Sequence, residues 1–193
     1  MFRLAFIISS TFVLLNALGG CATLSKSQCK VGDWHGIGKT DGEYGRPLDY
    51  FEKHKSACKE HKIKANTALY LKGRNEGLKS YCQIQHQVDL GLSGLVYTHV
   101  CKGAIVPLLI EANKFGLKVS SVKSDVNSAE NQISEVRTQL RSKSISEKEQ
   151  WRLEAEERRL LDQQDRLRDE LRRLKQEGER TLSEKARVFY KQS

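Results

Sequence analysis

The stretch LKVSSVKSDVNSAENQISEVRTQL, residues 117–140, decides the fold. Val119, Val122, Val126, Ala129, Ile133, Val136 and Leu140 recur at alternating spacings of three and four, which puts them on one stripe of an α-helix. Further on, Leu153, Leu160, Leu167 and Leu174 repeat every seventh residue, with Leu171 between the last two. Leu140 and Leu153 are thirteen apart, one short of two heptads, so a single seam does not run through both. Ser142-Lys143-Ser144-Ile145-Ser146 fills the gap, and Ser146 with Glu149 has the spacing of a capping box that opens a new helix. The pattern predicts an antiparallel helical hairpin, or coiled coil, over residues 117–193, with arms about 35–40 Å long. One long helix in an intermolecular coiled coil, a homo-oligomer, is the alternative. Glu154 with Arg158, Asp162 with Arg166 and Asp169 with Arg173 are acid-first pairs expected to support the second arm. Val119, Val126, Ile133, Leu140, Leu153, Leu160, Leu167 and Leu174 are the candidate partner-binding residues.

Upstream the composition changes. After Leu117 there is one glycine, Gly178, and no proline or cysteine, whereas residues 29–116 are punctuated by glycine. Gly38-x-x-Asp41-Gly42-x-x-Gly45 is followed by Tyr70-x-x-Gly73-x-x-x-Gly77-Leu78-x-x-Tyr81-Cys82, then by Gly91-x-x-Gly94-x-x-Tyr97-x-x-Val100-Cys101. Pro47 to Lys62 suggests a helix opening at the proline, and Ala68 to Tyr81 reads as another. Gly73 and Gly77 share a face of that helix, each at about 1 kcal/mol relative to Ala, which implies a close backbone approach. Leu90 to Ile110 is apolar but interrupted by Lys102, Gly103 and Pro107, so it reads as core. The expected fold is mostly α: a small, disulfide-pinned, glycine-rich helical domain over 29–116, then the hairpin.

The amino terminus has its own signature. Met1 to Gly20 combines Arg3, an apolar run from Leu4 to Leu15 and Leu18-Gly19-Gly20 before Cys21, the pattern of a lipoprotein signal peptide whose cleavage leaves Cys21 to carry lipid. Two or more acyl chains anchor stably. Ala22, where a retention signal would place Asp, points to the inner leaflet of an outer membrane, facing the periplasm. Residues 21–28 form a lipidated tether reaching at most about 25 Å. Four cysteines then remain, Cys29, Cys58, Cys82 and Cys101, an even number in an oxidising compartment, with three ways to pair. Cys29 with Cys58 and Cys82 with Cys101 close the shortest loops, each contributing roughly 3 to 3.5 kcal/mol in the chain-entropy model.

Taken together, Cys29-x-x-Gly32-Asp33-Trp34, Ile37-Gly38-x-x-Asp41-Gly42-x-x-Gly45, Phe51, Cys58 and the two later glycine and cysteine segments resemble an uncharacterised family of bacterial lipoproteins, number twenty-seven ninety-nine in the series of domains of unknown function. The resemblance covers residues 21 to about 116. It departs at Lys102, where the family pattern implies proline, and at Asn113, where it implies an aromatic. It implies localisation and architecture, and no reaction.

Other constellations carry little chemistry. Gly36-Ile37-Gly38-Lys39-Thr40 resembles the end of a phosphate-binding loop but has Asp33 where the first glycine belongs and no apolar strand before it. His54, Cys58 and His61 share a helix face, with His86 and His99 near the later cysteines, but cysteines committed to disulfides do not ligate zinc. No metal or cofactor is expected, and no motif places a nucleophile, paired carboxylates or a catalytic base, so the expectation is not an enzyme. Trp34, Tyr44, Tyr70, Tyr81 and Tyr97 are candidates for a wall- or glycan-binding face, with core packing the commoner use. Without residues 1–20 the chain holds 32 basic and 24 acidic residues, which suits anionic headgroups or acidic wall polymers, while export argues against nucleic acid. The reading that follows is a lipid-anchored periplasmic scaffold or adaptor whose partner is an envelope protein or cell-wall polymer, with a cell-wall or lipopolysaccharide binding module as the alternative.

Overall fold

The computed structural model describes residues 22–142 and 144–192, so Cys21 and the leader before it lie outside the described residues. Among the described residues seven helices follow in order: α1 Lys26–Val31, α2 Trp34–Glu43, α3 Tyr50–Lys59, α4 Thr67–Tyr81, α5 Ile84–Leu92, α6 Val106–Leu140 and α7 Glu147–Gln192. There is no strand among these residues. None of the seven helices is long and apolar enough to cross a membrane.

Helices α2 and α4 lie side by side with their backbones in contact. A Cβ on Gly38 or Gly42 would overlap the carbonyl oxygens of Tyr70 and Arg74, and one on Gly73 or Gly77 would overlap those of His35 and Lys39. Residue numbers rise together on the two sides, so the helices run parallel. This is the close approach that the glycine spacing implies, and it explains why each glycine is tolerated inside a helix.

The same geometry occurs a second time. A Cβ on Gly91 of α5 would meet the Asn113 carbonyl, and one on Gly116 of α6 the Val88 carbonyl, position for position as at Gly42 and Gly77. Both first helices end alike. Gly45 and Gly94 are left-handed (φ 60° and 77°), and the next residues, Arg46 and Leu95, donate back to the carbonyls of Asp41 and Leu90. Arg74 on α4 then donates to the Arg46 carbonyl (2.8 Å), and Asn113 on α6 donates to the Leu95 carbonyl (2.9 Å). The recurring glycine pattern is therefore a tandem pair of units, α2–α4 and α5–α6. Asn113, the departure from the expected aromatic, fills the role that Arg74 fills in the first unit.

Each unit has one disulfide from the residues before its first helix to its crossover segment. Cys29–Cys58 and Cys82–Cys101 are the pairings predicted from loop length. Between the units, the Tyr81 ring fills the space beside Gly45, and the Thr98 hydroxyl donates to the Gly45 carbonyl (2.6 Å).

The composition shift at Gly116 is not a structural break. Helix α6 runs through it because its first turns complete the second unit and its remainder begins the hairpin. Helix α7 returns antiparallel, with Arg137–Glu157 (2.6 Å), Glu130–Arg168 (2.7 Å) and Glu111–Lys185 (2.5 Å) linking the arms. The turn falls where the heptads break, and the Ser146 hydroxyl accepts from the Glu149 amide (3.3 Å) as the capping spacing requires. The predicted acid-first pairs within α7 do not form. Glu149–Arg152 and Asp169–Arg172 take the three-residue spacing instead, because Arg side chains on a long exposed helix reach either neighbour.

The last turns of α7 dock on the second unit. Leu182, Ala186 and Phe189 pack with Leu108, Ala112, Phe115, Ile84 and Val88. The first unit offers His35, Lys39 and Glu76 at the positions of Ile84, Val88 and Phe115, where Lys39 pairs with Glu76 (2.8 Å) and His35 Nε2 lies 3.3 Å from the same carboxylate. Substituting Gly77→Ala or Gly116→Ala should destabilise the fold by about 3 kcal/mol in chemical denaturation, reversing the roughly 1 kcal/mol gain that the same change gives in an exposed helix.

Candidate functional site

The first unit carries a buried polar network at positions that are apolar in the second. Asp41 on α2, His54 on α3 and Tyr70 on α4 are all buried. Asp41 is aimed inward by its place one residue before Gly42, His54 by its place one turn before Cys58, and Tyr70 by its place one turn before Gly73. His54 Nε2 donates to Asp41 Oδ2 (3.0 Å), and the Tyr70 hydroxyl donates to the same oxygen (2.7 Å). Arg46 donates to Asp41 Oδ1 (3.0 Å) and lies over the Tyr50 ring at 4.3 Å. His54 Nδ1 meets the Thr23 hydroxyl at 2.8 Å.

Burial pushes the Asp41 carboxyl up, but the hydrogen bonds from His54 and Tyr70 and the nearby positive charge of Arg46 outweigh it and hold it below the usual carboxylate range. Burial and the bond to Asp41 push the Tyr70 phenol well up. Asp41 is thus an anion and Tyr70 a neutral donor across the physiological range.

In the second unit the positions of Asp41, Arg46 and Tyr70 are held by Leu90, Leu95 and Leu109, around the same glycine contact. The scaffold therefore does not require a polar network there. What the network adds is a hook for the amino-terminal segment: Thr23 bonds to His54, and Leu24, next along, is buried with Cys29, Trp34 and Phe51. Residues 23–28, part of the expected tether over 21–28, pack with the domain, with α1 starting at Lys26 behind a Ser25 cap. A cleft of about 530 Å³ opens beside the network, lined by Thr23, Ser27, Asp33, Thr40, Arg46 and His54 among others.

The structure also places the other candidate residues. Val119, Val126 and Ile133 on α6 and Leu153 and Leu160 on α7 are buried, and Leu140, Leu167 and Leu174 half-buried, so the seam predicted to meet a partner closes on itself within the hairpin. Of the aromatic candidates, Trp34, Tyr70, Tyr81 and Tyr97 are core and only Tyr44 is exposed, which leaves no aromatic platform among them. Gly36 to Thr40 lie inside α2 and form no phosphate loop. His54 is committed to Asp41 and Thr23 and Cys58 to its disulfide, and among the described residues no cluster suits a metal ion. Sequence reading missed the Asp41 network, whose members come from separate helices and the segment after Cys21, with no shared local motif. It also missed Trp151, which is 67% exposed at the turn end of α7.

Fold and site together define an all-helical, disulfide-pinned domain of two like units extended by a hairpin. Residues 33–118 match the family described as "Protein of unknown function (DUF2799)", the family that the motifs resemble. The match takes in both glycine-paired units and ends just as the hairpin leaves the second. No curated protein and no solved structure matches the chain.

Because the Asp41 carboxyl titrates lower when folded than when unfolded, its network stabilises the fold above the ordinary carboxylate range. That stabilisation is lost as pH falls through the lowered value. Asp41→Asn should remove roughly 3 kcal/mol at neutral pH and flatten the acid limb of a stability-against-pH curve measured by urea denaturation.

Proposed function

We propose that this chain is a lipid-anchored protein of the outer-membrane inner leaflet, acting in the periplasm as a non-enzymatic scaffold or adaptor that presents its α6–α7 hairpin to an envelope partner. The observation that carries the reading is Trp151. Its seam closed, the hairpin has little apolar surface near its turn, yet an indole stands 67% exposed there. Tryptophan is enriched among the residues that dominate binding interfaces. Helix α6 spans about 50 Å, so the turn end stands well away from the disulfide-pinned domain.

The anchor gives the other half of the geometry. Thr23 and Leu24 are already part of the fold, so lipid on Cys21 holds the domain within about two residues, roughly 7 Å of chain, of the leaflet. Such a short link sets the domain against the membrane and leaves the hairpin as the reaching element.

Cys21→Ala should abolish metabolic labelling by palmitate and leave the uncut, longer chain in membrane fractions. Unchanged labelling would remove the anchor from the proposal. A photo-crosslinking amino acid at position 151 in intact cells should give one discrete adduct, absent when the crosslinker is at Arg173. An adduct of twice the chain mass would mean self-association, and no adduct from any exposed hairpin position would overturn the adaptor role.

A further inference from the structure

The docking of α7 on the second unit leaves a crevice of about 770 Å³ between α5, α6 and the end of α7. Small-molecule sites have volumes of this order. Its floor is Ile84, Val88, Phe115, Val119, Leu182 and Ala186. Leu92 on α5 and Tyr190 on α7, 43% and 62% exposed, form an apolar rim. The first unit keeps the equivalent face charged and open, so an apolar face here is not a demand of the glycine-paired scaffold.

Charge marks one end. Lys123 on α6 and Lys175 on α7 both line the crevice. The ion pairs Glu111–Lys185, Lys118–Glu170, Glu130–Arg168 and Arg137–Glu157 set acid against base between the arms. Here two exposed cations share one crevice, and among the described residues neither makes an ion pair. Glu179, one turn beyond Lys175, also lines the crevice and offsets one charge, and the Ser120 and Ser183 hydroxyls lie in the same wall. An apolar slot with a net cationic end complements a molecule that is apolar along its length and anionic at one tip.

We propose that this crevice binds the acyl chain of an anionic single-chain lipid, with Lys123 and Lys175 on its headgroup and the chain along Phe115, Val88 and Leu182 toward Ile84 and Tyr190. The site is independent of the Asp41 network and of lipid on Cys21.

The test uses the full chain. Titration with cis-parinaric acid should show saturable fluorescence enhancement, displaced by oleate and by lysophosphatidylglycerol and at least tenfold less well by lysophosphatidylcholine. Oleate and lysophosphatidylglycerol together distinguish a carboxylate from a phosphate headgroup. Lys123→Glu with Lys175→Glu, both solvent-exposed, should weaken the anionic ligands tenfold or more and leave neutral monoolein unchanged. Val88→Trp, which fills the slot, should abolish binding of all of them, with circular dichroism reporting whether the fold survives. No saturable binding by the unsubstituted chain would overturn the proposal, as would equal displacement by the zwitterionic lipid or unweakened binding in the double lysine variant.

Discussion

The helices of this chain are arranged around backbones that touch. At Gly38, Gly42, Gly73 and Gly77, and again at Gly91 and Gly116, there is room for hydrogen and nothing larger. Helices that meet through side chains can slide and re-pack at modest expense. Helices that meet through carbonyl oxygens and Cα hydrogens cannot, since any Cβ at the contact forces the axes apart. The relative position of each pair is thus set by the backbone, and the disulfides fasten the crossovers around it.

A contact fixed by the backbone leaves the outward faces free to diverge, and the two units have diverged in opposite senses. The first puts Asp41, Arg46 and Tyr70 where the second has Leu90, Leu95 and Leu109, and it gathers His54 and Thr23 around the carboxylate. A buried carboxylate is tolerable only when its lone pairs are filled, and here a histidine, a tyrosine and an arginine fill them. The second unit puts Ile84, Val88 and Phe115 where the first has His35, Lys39 and Glu76, and takes the end of α7 on that face. One unit holds the start of the described chain and the other holds its end.

The periodic parts of this architecture are legible in the sequence and the non-periodic parts are not. Spacings of three and four from Val119 to Leu140 and of seven from Leu153 give the hairpin, because a helical seam leaves a regular trace in one dimension. The missing residue between Leu140 and Leu153 locates the turn for the same reason. Gly73 and Gly77 announce a close approach, but not that Gly38 and Gly42 lie opposite, since a parallel pair joined through a crossover has no local signal. The units are hard to align by eye because their crossovers differ in length and Gly38 and Gly73 have Gln87 and Ala112 as counterparts. The Asp41 network is out of reach: a buried aspartate and a surface one look identical until the fold brings His54 and Tyr70 to it. The seam residues show the reverse error, in which a stripe that is correctly apolar invites a partner when the chain itself covers it.

Helix α6 joins these levels, since its first turns are half of the second unit and its later turns are half of the hairpin, with no hinge between. Gly116, a natural place for a soft point, is instead where α5 presses most closely, and Asn113 bonds across it to the carbonyls of Gln87 and Leu95. Helix α7 reinforces the junction by returning to the same unit through Leu182 and Phe189. The hairpin is therefore a rigid extension of the glycine-paired domain. Since Thr23 and Leu24 fix the amino-terminal segment to that domain as well, the direction of the arm follows from the direction of the segment that leaves residue 22. For a chain anchored at Cys21, orientation at the membrane and reach into the space beyond it would then be one property, set by the same backbone contacts.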